Sequence, residues 1–436
     1  MGILDSPNLS LQKLASQLGI TTAGKSQDQL AKQLSVRLSG AARNAFRTPI
    51  FSTILSPAPT ITLSAANATT AITGSVKVPS SLSGVTTINQ VFRYLGGAVL
   101  RSDYNASTQT YAVTFPAYDY VKRVNVTTTN DFGSVCPEFM FDGQKMEIGE
   151  LGEQQLIRVW VDNVPGVWSA VAPLDGSTYL RLVDFGTRAI RRVRIEISGG
   201  VFGGVRIGAN DTVWAVDAPV GPRLIALGDS FSEGTGSSTG VWGSYAEVIG
   251  RLTGFDVWPS GSGQTGYVAP GSTGRVKYQD RAQSDVIAYA PDVVLIQGST
   301  NDYSLGATLQ AAATSLYAAL RAGLPNAVII ILGICPVTAG NQDATSTANQ
   351  AKLKAAAQGA GFPFIDPIAG ATYDGAGNLL GQATGAWFTG NGNIGATQAT
   401  GNASYYTFTD NGHPSGPGHE YLGRRVAYEL QKLLPY

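Results

Sequence analysis

Apolar residues are spaced in three different ways along this chain, and each spacing predicts a different kind of element. In residues 1–48, Leu9, Leu11, Leu14 and Leu18, then Leu30, Leu34 and Leu38, recur at helical intervals around a turn at Thr21–Ser26. A helical segment of this length buries little core by itself, so it is either an assembly adaptor or an appendage of the next domain. From about Phe51 to Asp217 the pattern shortens to alternating runs: Thr60–Leu63, Tyr111–Phe115, Leu156–Val161 and Arg191–Ile197. The pairs Asp142-Gly143 and Asp175-Gly176 are expected to be turns between them. Many short strands without helices predict a β-sandwich.

A boundary is expected at Pro219–Pro222. Beyond it, Leu224–Leu227, Val293–Ile296 and Val328–Leu332 are too uniformly apolar for half-exposed strands and suit a parallel sheet covered on both faces. Helical stretches at Thr308–Ala322 and Thr345–Gln358 lie among them, and Leu422, Val426, Leu430 and Leu433 share one face of a closing helix. The expected architecture is therefore a helical segment (1–48), a β-sandwich domain (49–218) and a three-layer α/β/α domain with a parallel sheet (219–436).

Composition narrows the function classes. Lys plus Arg and Asp plus Glu number 30 each and cancel, so no basic surface for nucleic acid or an anionic membrane is implied. Arg188, Arg191, Arg192 and Arg194 alternate with apolar residues as a half-exposed strand would. The two cysteines, Cys136 and Cys335, give neither a disulfide framework nor a metal-binding spacing and are expected to be small buried residues. No apolar run is long enough to span a bilayer. The opening MGILDSPNLSLQKL lacks the pattern of a signal peptide, so the setting stays open between virion-associated and cytoplasmic, and export would need another route or lysis.

The first run of the α/β domain leads straight into Gly228-Asp229-Ser230. A serine there stands at the carboxyl end of a parallel strand, where open α/β sheets bind their ligands, and its hydroxyl needs a base to become a nucleophile. The chain has two histidines, both in Asp410–His419. Asp410 precedes His413 by three residues across a turn, a spacing that lets the carboxylate hold one ring nitrogen while the other faces Ser230. His419, inside the closing helix, is expected to be structural. Asp229 and Asp302 read as turn-formers, with a direct catalytic role as the alternative.

These residues resemble the SGNH (GDSL-like) hydrolases. Gly228-Asp229-Ser230, a glycine in the Ser-Gly-Gln-Thr turn at 262–265, Asn301-Asp302 and Asp410-x-x-His413-Pro414 follow the order of that family's sequence blocks over roughly Arg223 to Tyr436. The resemblance implies Ser230 as nucleophile, His413 as general base and Asp410 as its orienting acid. It further implies an oxyanion hole of the Ser230 amide, the Gly263 amide and the Asn301 side chain, with no metal or cofactor. Two details depart from the pattern. Ser299 takes the place of the glycine usual before Asn301, and Gly261 competes with Gly263 for the amide role. The β-rich segment ahead of the hydrolase blocks is similar to the jelly-roll-plus-hydrolase layout of some carbohydrate esterases, which implies O-acetyl groups on a polysaccharide.

Two other motif matches are set aside. Gly19–Ser26 fits the phosphate-loop pattern but follows a helix-patterned stretch rather than a strand. Gly236-Ser237-Ser238-Thr239-Gly240 fits G-x-S-x-G, but no strand leads into it. The loop Gly370–Thr409 carries Trp387, Phe388, Tyr405 and Tyr406, which either stack on sugar rings or anchor the loop. The expected activity is hydrolysis of a small acyl ester on a small molecule or polysaccharide. The rival reading is a catalytically inactive carbohydrate-binding or phage virion protein with a hydrolase-like domain.

Overall fold

The computed structural model describes residues 54–80, 88–102, 120–123, 134–217, 220–272 and 274–434. The expected helical segment 1–48, with its phosphate-loop-like stretch, and the run Tyr111–Phe115 lie outside them.

Two long strands organise the β-rich part. In chain order the strands are β1 (Thr60–Leu63), β2 (Val76–Val78), β3 (Arg93–Leu95), β4 (Val99–Ser102), β5 (Tyr120–Arg123) and β6 (Cys136–Glu153). They continue with β7 (Leu156–Val161), β8 (Val164–Trp168), β9 (Leu174–Ser198), β10 (Val205–Ile207) and β11 (Thr212–Trp214). Apart from the β4–β5 pair, they form one antiparallel sheet ordered β2-β10-β6-β9-β7-β8, with β3 and β11 added to β6 and β1 to β9. Among the described residues the hydrogen bonding is continuous, so one sheet stands where two separate ones were expected. Its long strands bend around a shared core that takes Phe139 and Phe141 from one arm of β6 and Met146 and Ile148 from the other.

That bend corrects a sequence expectation. Asp142-Gly143 is not a turn between strands but lies inside β6, where the register against β9 shifts between Gly143 and Lys145. The shift moves the inward-facing positions from odd to even numbers, which lets both arms bury apolar side chains. Asp175-Gly176 likewise lies within β9. The arginines of β9 are consumed internally. Arg192 and Arg194, with Arg93, bind the fully buried Glu138. Burial opposes the Glu138 charge, but Arg194 and Arg192 outweigh it and lower the carboxyl to about 2.

The second part alternates strand and helix. Its strands are β12 (Arg223–Gly228), β13 (Asp256–Gly261), β14 (Val293–Gly298), β15 (Val328–Ile334), β16 (Phe364–Asp366) and β17 (Ala371–Tyr373). Its helices are α1 (Ser230–Glu233), α2 (Tyr245–Thr253), α3 (Tyr278–Asp285), α4 (Gly306–Gly323), α5 (Ala344–Gly359), α6 (Ala403–Tyr406) and α7 (Gly416–Leu433). The sheet order is β13-β12-β14-β15-β16-β17. The sheet is mixed rather than parallel, because β17 runs antiparallel to β16. Only residues 367–370 connect those two strands, too few for the crossover that a parallel neighbour requires.

Alternation of side chains explains the continuous apolar runs. Ile225 and Leu227 face one core with Leu309, Leu316 and Leu320 of α4 and Leu353 of α5. Leu224 and Ala226 face the other with Tyr245 and Ile249 of α2 and Leu422, Val426 and Leu430 of α7. Each β12 residue in these runs therefore needs to be apolar, because both faces of the strand are covered. Cys136 and Cys335 are buried and free. No helix among the described residues is long and apolar enough to cross a membrane.

The two parts are joined through the segment ahead of α2 and through the start of β13. Trp242, 2% exposed, donates its indole N–H to the Ile197 carbonyl of β9 at 2.6 Å. Ser198 Oγ donates to the Thr239 carbonyl, and the Gly96 amide donates to Asp256. Truncating Trp242 to alanine removes both the packing and the indole bond. It is expected to destabilise the protein by about 3–5 kcal/mol, measured as a shift of the urea unfolding curve.

Candidate active site

Ser230 opens α1 immediately after β12, and its position is fixed from below. Gly228 and Gly261, the last residues of neighbouring strands, pair directly. A Cβ on Gly228 would lie 2.1 Å from Ser232 Oγ, and one on Gly261 would lie 2.1 Å from the Glu233 nitrogen. Both glycines are therefore required for the helix to sit tightly on the strand ends. The fully buried Arg281 ties those ends together by donating to the Gly228 and Ser260 carbonyls.

Asp229 is the N-cap of α1. Its Oδ1 accepts from the Phe231 amide at 3.0 Å and from Gln297 Nε2 at 3.0 Å, and its Oδ2 accepts from Ser299 Oγ at 2.7 Å. Burial pushes this carboxyl up from its ordinary value, against the Phe231 amide and the Ser299 and Gln297 hydrogen bonds. Capping also leaves the Ser230 amide at the first position of the helix, where no intrahelical acceptor exists.

His413 reaches Ser230 from a hairpin 183 residues downstream. Its Nε2 is 2.7 Å from Ser230 Oγ, and its Nδ1 is 2.6 Å from Asp410 Oδ2. Asp410 Oδ1 also accepts from the Gly412 and His413 amides at 2.9 and 3.0 Å. Asn411 takes the left-handed conformation, φ 58°, that closes this turn. Partial burial disfavours the Asp410 charge, but the Gly412 amide and the His413 contacts outweigh it and hold the carboxyl below the usual range. An anionic Asp410 on Nδ1 selects the tautomer that leaves Nε2 free to accept the serine proton.

The remaining expected residues converge on the same cleft, whose volume is about 510 Å³ and whose lining includes Ser230, His413, Gly263 and Asn301. Asn301 Nδ2 faces the Thr265 carbonyl and Ser299 Oγ, both at 3.0 Å. Ser299, in the place of the usual glycine, supplies a hydroxyl bridge between Asp229 and the Asn301 amide. The Gly263 amide donates to Glu233 Oε2 at 2.8 Å. Gly261 lies in β13, so its lack of a side chain is explained by packing against α1.

Other readings resolve into structural roles. Asp302 accepts the backbone amides of Tyr267, Val268 and Ala269 and so shapes the loop after β13. His419 accepts from the Tyr245 amide and donates to the Thr235 carbonyl. Burial lowers its pKa to about 4, so it is neutral. Gly236–Gly240 follows α1, with no strand leading in. Trp387 and Phe388 are each 1% exposed and anchor the long loop, whereas Tyr405 is exposed. Sequence reasoning missed Gln297, Thr265, Arg281, Glu233 and Arg275, because nothing in their local spacing marks them; Glu233 shares α1 with Ser230, and strand order brings the other four to it.

Comparison with known proteins gives one family match and several structural neighbours. Residues 226–421 match the GDSL-like lipase/acylhydrolase family. Over those residues the chain is similar to that family, and it is a carboxylic ester hydrolase. No curated protein matches it. Among solved structures it is similar to a family two carbohydrate esterase from Clostridium thermocellum in complex with cellohexaose, at 15% identity. That likeness covers 77% of this chain and 98% of that one, with a TM-score of 0.53. A salicylyl-acyltransferase from a tetracycline biosynthetic pathway is 15% identical over 80% of this chain and 97% of its own, with a TM-score of 0.53. An acetyl xylan esterase from the rumen bacterium Butyrivibrio proteoclasticus is 12% identical over 83% and 98%, with a TM-score of 0.50. These likenesses are of fold, and they extend beyond 226–421 into the β-rich part.

Asp410→Asn keeps the side chain's shape but offers an N–H to Nδ1 and favours the wrong tautomer. The expected loss in kcat lies between about 10² and 10⁴, nearer the lower figure because solvent reaches this carboxylate. Turnover of p-nitrophenyl acetate measures it.

Proposed function

We propose that the protein hydrolyses short acyl esters, O-acetyl groups on a carbohydrate above all, through an acyl-enzyme on Ser230. The observation that carries the reading is the chain of contacts Ser230 Oγ–His413 Nε2 at 2.7 Å and His413 Nδ1–Asp410 Oδ2 at 2.6 Å. Ser230 Oγ attacks the ester carbonyl carbon while its proton passes to Nε2. The tetrahedral oxyanion is held by the Ser230 amide, with Gly263 and Asn301 as the further donors that the family resemblance implies. On collapse the C–O bond to the alcohol breaks, and the imidazolium returns its proton to the leaving oxygen. Water then attacks the acyl-enzyme, gives a proton to Nε2, and the acid departs as Oγ is reprotonated.

The cleft lining supports a small acyl group. Ser134, Ser198, Ser232, Thr235, Ser237 and several glycines dominate it, with Val241 and Pro259 the apolar side chains present. Such a surface offers hydrogen bonds to hydroxyl-rich substrates and few apolar side chains to a long chain. Structural similarity to carbohydrate esterases supports the carbohydrate assignment. We further propose that residues 1–48, 49–218 and 219–436 are the chain's three units.

The decisive measurement is hydrolysis of p-nitrophenyl esters of increasing chain length without added metal, alongside acetate release from acetylated polysaccharides. Acetate esters are expected to be cleaved fastest, with Ser230→Ala lowering kcat by at least about 10³-fold. Full activity in that variant would end the assignment. A wild-type protein inert toward every ester would favour the binding-protein reading.

A further inference from the structure

Glu233 stands at the end of α1, one turn from Ser230, and its carboxylate lines the cleft without a part in the chemistry above. Its Oε2 accepts the Gly263 amide hydrogen at 2.8 Å. The carbonyl of the same glycine accepts from Arg275 Nη1, and Arg275 Nη2 lies 4.0 Å from Glu233 Oε1. Both side chains are largely withdrawn from solvent, 15% and 14% exposed. A Cβ on Gly263 would lie 2.6 Å from Arg275 Nη1 and 2.6 Å from Glu233 Oε2, so this position accommodates both only as glycine.

A carboxylate bound to an oxyanion donor has two consequences. It occupies the hydrogen that a tetrahedral intermediate needs, and its charge opposes the charge developing there. Arg275 supplies an alternative partner. At 4.0 Å the guanidinium and carboxylate are already an ion pair without a close hydrogen bond, so a second partner lies beside the carboxylate. Moving from the amide to Arg275 keeps the half-buried carboxylate partnered throughout, which a swing into an apolar wall would not.

We propose that Glu233 controls entry to the oxyanion hole: its carboxylate holds the Gly263 amide in the resting enzyme and passes to Arg275 when an ester carbonyl binds. Glu233 and Arg275 are then positioning residues. The inference rests on the preceding assignment of Ser230 as nucleophile and Gly263 as donor. The alternative is a fixed clamp, in which both side chains simply brace the 262–265 turn.

A double-mutant cycle in the full-length chain separates the two. kcat and KM for p-nitrophenyl acetate are measured for Glu233→Gln, Glu233→Ala, Arg275→Met, Arg275→Lys and the Glu233→Gln/Arg275→Met pair. Controlled entry requires Arg275→Met to lower kcat by about tenfold or more, with KM little changed, because the carboxylate loses its second resting place. The loss should shrink to about twofold or less once Glu233 is neutral, and Arg275→Lys should restore most of it. Glu233→Gln alone should match or exceed the wild-type kcat, and Glu233→Ala covers the case in which glutamine still binds the amide. Losses that multiply in the pair, or an Arg275→Met variant as fast as wild type, would overturn the proposal. Stoichiometric labelling of Ser230 by diisopropyl fluorophosphate, followed by mass spectrometry, tests the underlying reading separately. Absence of labelling in the wild type indicts the nucleophile, whereas full labelling with a multiplicative cycle indicts only the role of Glu233.

Discussion

The buried carboxylate of Asp229 is the constraint around which the site is arranged. An ionised group 1% exposed is tolerated only when its oxygens are satisfied, and here the Phe231 amide, Gln297, Ser299 and Asn301 supply the donors. Those donors come from α1, from the end of β14 and from the loop that follows it. Satisfying one charge therefore fixes the start of the Ser230 helix relative to the Asn301 loop. Removing any one donor would strand part of a buried charge, a larger cost than the ordinary worth of a hydrogen bond.

Sheet order then determines which loops can meet. With β12 flanked by β13 on one side and β14 on the other, the chain leaves these strands at a point where successive connections depart to opposite faces. That is where open α/β sheets leave a crevice at their carboxyl ends. Ser230 follows β12, Gly263 follows β13 and Asn301 follows β14. The histidine comes from none of these strands. It arrives from the hairpin ahead of α7, whose apolar face packs on the same core as α2. His419 strengthens that link by bridging α7 to the Tyr245 amide and the Thr235 carbonyl.

Much of this was legible in the sequence, for identifiable reasons. The runs at 224–227, 293–296 and 328–332 are strands because they are buried on both faces, and uniform apolarity is the trace that such burial leaves. Ser230, Asp410 and His413 were legible because a two-histidine chain restricts the choice of base and because the Asp410–His413 link is local. Glu233, Arg275, Gln297 and Arg281 were not, since their partners are fixed by strand order rather than by spacing. The β-rich part misled for a related reason. Asp142-Gly143 has the composition of a turn, yet its conformational freedom serves a register shift within a long strand. The antiparallel β17 escaped notice because a three-residue strand leaves almost no periodicity.

The β-rich part contributes directly to the geometry of the site. Ser198, which ends β9, Gly199 after it, and Ser134, which precedes β6, line the cleft together with Ser230. The Trp242–Ile197 and Ser198–Thr239 bonds couple β9 to the 239–243 segment, itself part of the lining through Gly240 and Val241. A substrate in the cleft is thus enclosed by surfaces from both parts, and small hydroxyl-bearing or glycine residues dominate on either side. An apolar acyl chain meets only Val241 and Pro259 as apolar side chains in such a space, while a polyol can exchange its bound water for serine and backbone groups. The proposed selectivity for a short acyl group on a polar alcohol therefore draws on both parts, with the β-rich sheet forming one wall of the cleft.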